Sequence, residues 1–100
     1  MKKSIQYRLN TLISYLNETC RRETEKRKKY SMFYRTLLKT HGRLVMHIMT
    51  HYDREEILNM ILAIAPDPEH LKKLNMSTFS TIKLADMLAF FLIQNKLKNP

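Results

Sequence analysis

Residues 84–93, Leu84-Ala85-Asp86-Met87-Leu88-Ala89-Phe90-Phe91-Leu92-Ile93, are apolar at every position but Asp86. A helix apolar on nearly every face must be buried on nearly every face, which a chain of 100 residues can barely arrange alone. The segment therefore belongs at the centre of the fold or in a subunit interface, with Leu84, Met87, Leu88, Phe90, Phe91 and Leu92 as the interface candidates. Apolar residues recur at three and four along the rest of the chain. With one glycine, three prolines and no alternating strand pattern, the reading is all-α. We expect one domain, a compact bundle of about five helices completed by dimerisation.

Outward from that segment, the helices are set by their stripes and caps. Ser4 caps a first helix whose stripe is Ile5, Leu9, Leu12, Ile13, Leu16 and Cys20. The stripe breaks at the charged run 21–29 and resumes at Tyr30, Phe33, Tyr34, Leu37, Leu38 and His41, as one long helix or as two joined by a basic segment. Gly42, the only glycine, is expected to end that helix in a left-handed position. A short helix with Leu44, Val45, Ile48, Met49 and Tyr52 follows. Asp53 and Glu56 resemble a capping box opening a helix with Ile57, Leu58, Ile61, Leu62 and Ile64, which Pro66-Asp67-Pro68 stops. Asp67 with Pro68 starts a short helix through Leu71 and Leu74. After a turn at Asn75-Met76-Ser77, Ser77 or Thr78 caps the last helix, which reaches about Leu97.

Charge divides the chain unevenly. Residues 1–50 hold twelve Lys and Arg against three Glu, and residues 51–100 hold six against six acids, so the whole net charge of +9 lies in the first half. The densest part, Arg21-Arg22-Glu23-Thr24-Glu25-Lys26-Arg27-Lys28-Lys29, has six cations and two anions, and Arg35, Lys39 and Arg43 follow. Positions 28, 35 and 39, or 22, 29 and 43, can share a helical face, so phosphates along a groove could be met from one side. The nine cations Arg21, Arg22, Lys26, Arg27, Lys28, Lys29, Arg35, Lys39 and Arg43 are thus the candidate nucleic-acid contacts. The plainer reading is a solvated face on which Glu23 and Glu25 pair with Arg27 and Lys29 at i,i+4. Tyr30, Phe33 and Tyr34 could stack on bases, although aromatics at helical spacing ordinarily belong to a core.

A second pattern runs from Glu69 to Leu84: short helix, polar turn, capped helix. It has the form of a helix-turn-helix, whose second helix would present Thr78, Ser80, Thr81 and Lys83 to the major groove. Against that, the expected recognition helix has one cation before Asp86. His47 and His51 stand at the i,i+4 spacing of paired metal ligands, with Asp53 and His41 near. No third ligand completes a zinc site on that element, so two histidines flanking an apolar stripe is the reading taken, and no metal or cofactor is expected. No glycine-rich phosphate loop and no nucleophile and base arrangement is visible, and Asp53, Glu55 and Glu56 at a helix start are explained by the helix dipole. The chain reads as a non-enzyme without a small-molecule substrate.

Cys20 is the only cysteine, which excludes an intrachain disulfide, points to a reducing compartment and suits a packed thiol. Met1-Lys2-Lys3 resembles the opening of a signal peptide, but Gln6, Arg8, Asn10 and Thr11 interrupt any apolar region behind it. The apolar run Met87 to Ile93 is far short of the roughly twenty residues that span a bilayer. A cytoplasmic protein is expected.

Leu71-Lys72-Lys73-Leu74-Asn75 and Ile82-Lys83-Leu84-Ala85-Asp86 resemble segments of the D subunit of the flagellar master transcriptional activator and its relatives on mobile elements. Asn10-Thr11-Leu12-Ile13-Ser14-Tyr15-Leu16 and Ser31-Met32-Phe33 resemble segments of the same family, in the same order. The resemblance covers about a third of the chain and implies an all-α homodimer that works with a second DNA-binding subunit to activate transcription. The basic run 21–29 departs from that family's pattern, so no mode of DNA contact is carried over. Charge and resemblance together predict a small DNA-binding transcriptional regulator, DNA rather than RNA being the ligand, acting as a homodimer or hetero-oligomer. The competing expectation is a helical interaction module, such as a secretion chaperone, an anti-regulator or an assembly subunit, whose basic half meets an acidic protein.

Overall fold

A computed structural model describes residues 4–27 and 33–98. Among them the chain forms α1 (Ile5–Arg27), α2 (Phe33–His51), α3 (Arg54–Ile64), α4 (Pro68–Lys73), a 3-10 turn (Met76–Thr78) and α5 (Thr81–Lys98). The all-α bundle of about five helices is what the apolar spacing predicts.

Three of the starts follow the expected caps. Ser4 Oγ accepts from the Tyr7 amide at 3.2 Å. Asp53 accepts from the Glu56 amide at 2.8 Å while Glu56 accepts from the Asp53 amide at 3.1 Å, a capping box built on aspartate. Asp67 accepts from the His70 amide at 3.1 Å, with Pro68 in the first turn. α3 stops at Ile64 because Ala65, which precedes Pro66, is held extended.

Two boundaries differ from expectation. Gly42 does not end a helix: it lies in the middle of α2, which runs on through Leu44, Val45 and Ile48 to His51. Those three residues, with Thr40, share one buried face, and burying that face outweighs the one poor helix former. The last helix begins later than Ser77 or Thr78, with Ser80 as its cap: the Lys83 amide donates to Ser80 Oγ and the Leu84 amide to Ser80 O. Buried Met76 draws the preceding residues into the 3-10 turn. Arg54 of α3 fixes that turn by donating to the carbonyls of Met76 and Ser77 at 3.1 and 2.8 Å.

One core joins the helices. α5 packs on α2 and α3, and α1 packs on the same two. Leu12 and Leu16 of α1, Leu44 and Ile48 of α2, Ile57, Met60 and Ile61 of α3, and Leu84 and Leu88 of α5 are fully buried. Of the residues expected at a subunit interface, Leu84, Leu88 and Leu92 are therefore used inside a single chain, Met87 and Phe91 are half-buried against the same core, and Phe90 alone is exposed, at 50%. The all-round apolar helix is the centre of the fold. Ala85 and Ala89, also fully buried, let neighbouring helices approach it closely.

Polar contacts join the elements at the edges of this core. Arg8 reaches the Glu56 carboxylate at 3.3 Å and links α1 to the cap of α3. The half-buried Cys20 thiol lies 3.9 Å from the hydroxyl of fully buried Thr40, the packed position expected for it. No described helix is long and apolar enough to cross a membrane.

Leu88→Ala should destabilise the isolated chain by about 2–5 kcal/mol, and Phe90→Ala by less than about 1 kcal/mol. Urea unfolding at several protein concentrations checks this; equal losses at the two positions would place Phe90 in a buried interface.

Candidate polyanion-binding surface

α2 contains no acidic residue in its 19 positions. Steps of four along it give Arg35, Lys39, Arg43, His47 and His51, a ridge that turns by about 40° per step because four residues slightly exceed one turn. The inward face carries Thr40, Leu44, Val45 and Ile48. The outward face, together with Tyr15 of α1, forms an open groove of about 570 Å³ lined by Tyr15, Lys39, Gly42, Arg43, Met46, His47 and Thr50. The α2 residues there follow the spacing i, i+3, i+4, i+7, i+8 and i+11, one continuous strip of helix surface.

A column of rings borders the groove. Tyr15 and His47 stack with centroids 3.9 Å apart and planes at 11°, and His47 stacks on His51 at 4.0 Å. His51 Nδ1 lies 2.9 Å from the His47 carbonyl, which can only accept, so Nδ1 carries the proton. Burial, and secondarily the neighbouring His51, hold the His47 pKa below its ordinary 6.5. His47 is thus a neutral ring at neutral pH and contributes surface, not charge. Stacked face to face, the two imidazoles do not converge on an ion, and no three His, Cys, Asp or Glu residues gather as a metal site among the described residues.

The basic run is organised differently from α2. Arg21 donates to Glu18 and Glu25, both at 2.7 Å, and Arg22 donates to Glu18 at 2.9 Å. These two guanidiniums, Arg21 first, hold the Glu18 carboxyl down at about 2. Glu25 pairs backward with Arg21; its expected pairing with Lys29 falls outside the described residues. Glu23 faces α2 and accepts from Arg43, because its position continues the buried line Leu16, Thr19, Glu23; the side chain of Arg27, its expected partner, lies outside the described ones. Its carboxylate side chain is 4% exposed while Arg43 stays half exposed beside the groove. The last turn of α1 carries Lys26 and Arg27, and the first turns of α2 carry Arg35. Lys28, Lys29 and Tyr30 lie outside the described residues.

The four residues expected on a recognition helix are not brought onto one helix. Thr78 sits in the 3-10 turn and donates to the Asn75 carbonyl at 2.8 Å, and Ser80 is the cap of α5. Thr81 and Lys83 stand on α5, Lys83 with its ammonium 4.4 Å from the centre of the Phe79 ring. The connection between α4 and α5 covers 74–80 and contains its own helical turn, longer than the three or four residues of the motif.

The groove was not visible in the residues one at a time. Its signal was the unbroken i+4 series 35, 39, 43, 47 and 51, divided in the sequence reading between a phosphate patch and a metal pair. Comparison with known proteins finds no matching family model, no matching curated protein and no matching solved structure.

A His47 resonance should titrate below 6.5. Because the folded value is depressed, the unfolded chain takes up this proton more readily; His47 thus contributes stability in full above about 6.5, which is lost as pH falls through its folded value. Thermal melts between about pH 7.5 and about pH 5.5 check the sign: His47→Phe keeps a stacked ring and should flatten this part of the profile.

Proposed function

We propose that this chain is a non-enzymatic, DNA-binding transcriptional regulator of the cytoplasm, which holds the phosphate backbone of duplex DNA against α2. One observation carries the reading: α2 has no acid along its length and sets Lys39 and Arg43 on an open groove. Cations so placed neutralise phosphates, release counterions and give affinity and register without reading bases. Arg43 suits the task because a guanidinium has five N–H donors, and its contact with Glu23 uses only part of them while fixing its direction. Arg21 and Arg22 contribute less, being already held by Glu18 and Glu25. The resemblance to the flagellar activator D subunit supplies the regulatory role and an assembly as a homodimer or beside a partner subunit.

A second reading rests on a different surface. Leu38, 68% exposed, with Ile82 and Phe90, at least half exposed, flanks the contact between His41 of α2 and Asp86 of α5. Such a patch suits a helical interaction module with a protein partner.

Lys39→Ala removes a cation that holds no acid among the described residues, so it separates binding from stability better than Arg43→Ala, which would withdraw a partner from a nearly buried carboxylate. It should weaken duplex binding alike across sequences and lower the slope of log affinity against log salt by about 0.9. Glu18→Gln should do the reverse, releasing Arg22 and leaving Arg21 held by Glu25 alone, and raising affinity by about two- to five-fold. Fluorescence anisotropy over a salt series reads both. Duplex binding no stronger than that of an unstructured basic peptide would instead favour the interaction module.

A further inference from the structure

Gly42 has no structural reason to be glycine. It lies in the interior of α2 with helical neighbours on both sides, it is exposed, and a Cβ built there would meet nothing within 4 Å. No tight turn and no close helix crossing calls for it. A glycine at an exposed helix interior weakens the helix relative to alanine, so the fold would be more stable without it. The packing of the described residues leaves the missing side chain unexplained.

Its place in the groove says where. Gly42 stands between Lys39 and Arg43 on the strip that lines the depression, with Met46 one turn on and Tyr15 across from it on α1. Its own amide belongs to the α2 hydrogen-bond ladder, so what it offers a ligand is space against the helix backbone. Thr50, at the far end, already donates its hydroxyl to the Met46 carbonyl. The cations lining the notch are Lys39 and Arg43, which suit an anionic oxygen group, while Met46, 63% exposed, and the Tyr15 ring give an apolar flank. The depression is open rather than enclosed, so it offers one face of contact to a group laid against the helix.

We propose that the notch at Gly42 is a phosphate seat: one phosphodiester group of the bound nucleic acid sits against α2 between Lys39 and Arg43, its sugar on Met46 and Tyr15. This rests on the DNA-binding reading and adds to it a defined place on α2 and a single gatekeeping position. A phosphate held at the surface by long, flexible cations would tolerate any side chain at 42; one seated in the notch would not.

The test measures stability and binding on the same full-length variants. Gly42→Ala should raise Tm by about 4–8 °C and yet weaken binding of a random-sequence duplex by about three-fold. Gly42→Leu, which fills the notch, should weaken it by about ten-fold or more; if that variant fails to fold, the opposed signs for Gly42→Ala carry the test alone. Lys39→Ala is the reference for loss of charge, and inorganic pyrophosphate, followed by amide shifts of Gly42, Arg43 and His47, is the second probe. Wild-type affinity in both Gly42 variants, with weakened binding in Lys39→Ala, would overturn the seat and leave backbone binding intact. Pyrophosphate shifts abolished by Gly42→Leu, in a protein that does not bind duplex, would support the seat and overturn the nucleic-acid reading. Binding of neither duplex nor pyrophosphate would overturn both.

Discussion

The burial of α5 decides how every other helix can be used. Leu84, Ala85, Leu88, Ala89 and Leu92 are closed off on several sides at once, and α2 and α3 supply most of the cover. α2 must therefore give its Leu44, Val45 and Ile48 face to the core, and its opposite face is left for solvent. That division turns a series of cations at steps of four into a surface. Had α5 been covered by a second copy instead, the faces of α2 would not be so assigned.

The two basic elements look alike in composition and differ in electrostatics. At the end of α1 the carboxylates are exposed and adjacent, so Arg21 and Arg22 close on Glu18 and Glu25, and exposed pairs of this kind change stability little. α2 has no acids of its own, and among the described residues two carboxylates from other elements reach it, Glu23 from the buried side of α1 at Arg43 and the exposed Asp86 of α5 at His41. A buried carboxylate with a guanidinium partner orients that guanidinium, so Glu23 positions Arg43 more than it cancels it. Counting charges by segment ranked the run 21–29 above α2. Pairing takes up Arg21 and Arg22 of that run.

Much of the fold was legible because it depends on local rules. The apolar spacing, the Asp53 and Asp67 caps and the stop at Pro66 are short-range features, and each element they define is where they put it. The misreadings share a cause, which is tertiary contact overriding a local preference. Gly42 reads as a terminator by propensity, yet the buried face on both sides of it carries the helix through. Ser77 and Thr78 are acceptable caps, but the anchoring of Met76 and the reach of Arg54 delay the start of α5 to Ser80. The groove needed Tyr15 of α1 beside α2, a juxtaposition no periodicity states, although the spacing of its α2 half was present in the chain.

α2 is a poor helix by its own residues. Lys39 and Arg43 repel at i,i+4, a separation at which like charges cost about 0.2–0.5 kcal/mol, Gly42 costs about 1 kcal/mol relative to alanine, and Thr40, Val45, Ile48 and Thr50 are β-branched. Tertiary burial of one face holds it together. For Thr40, Val45 and Ile48 the unfavourable local choice is explained by the core they enter. For Lys39 and Gly42 no contact among the described residues explains it. Two exposed positions three residues apart, a glycine in a helix interior and a cation one turn from Arg43, both line one groove, and the proposed anionic group would account for them together.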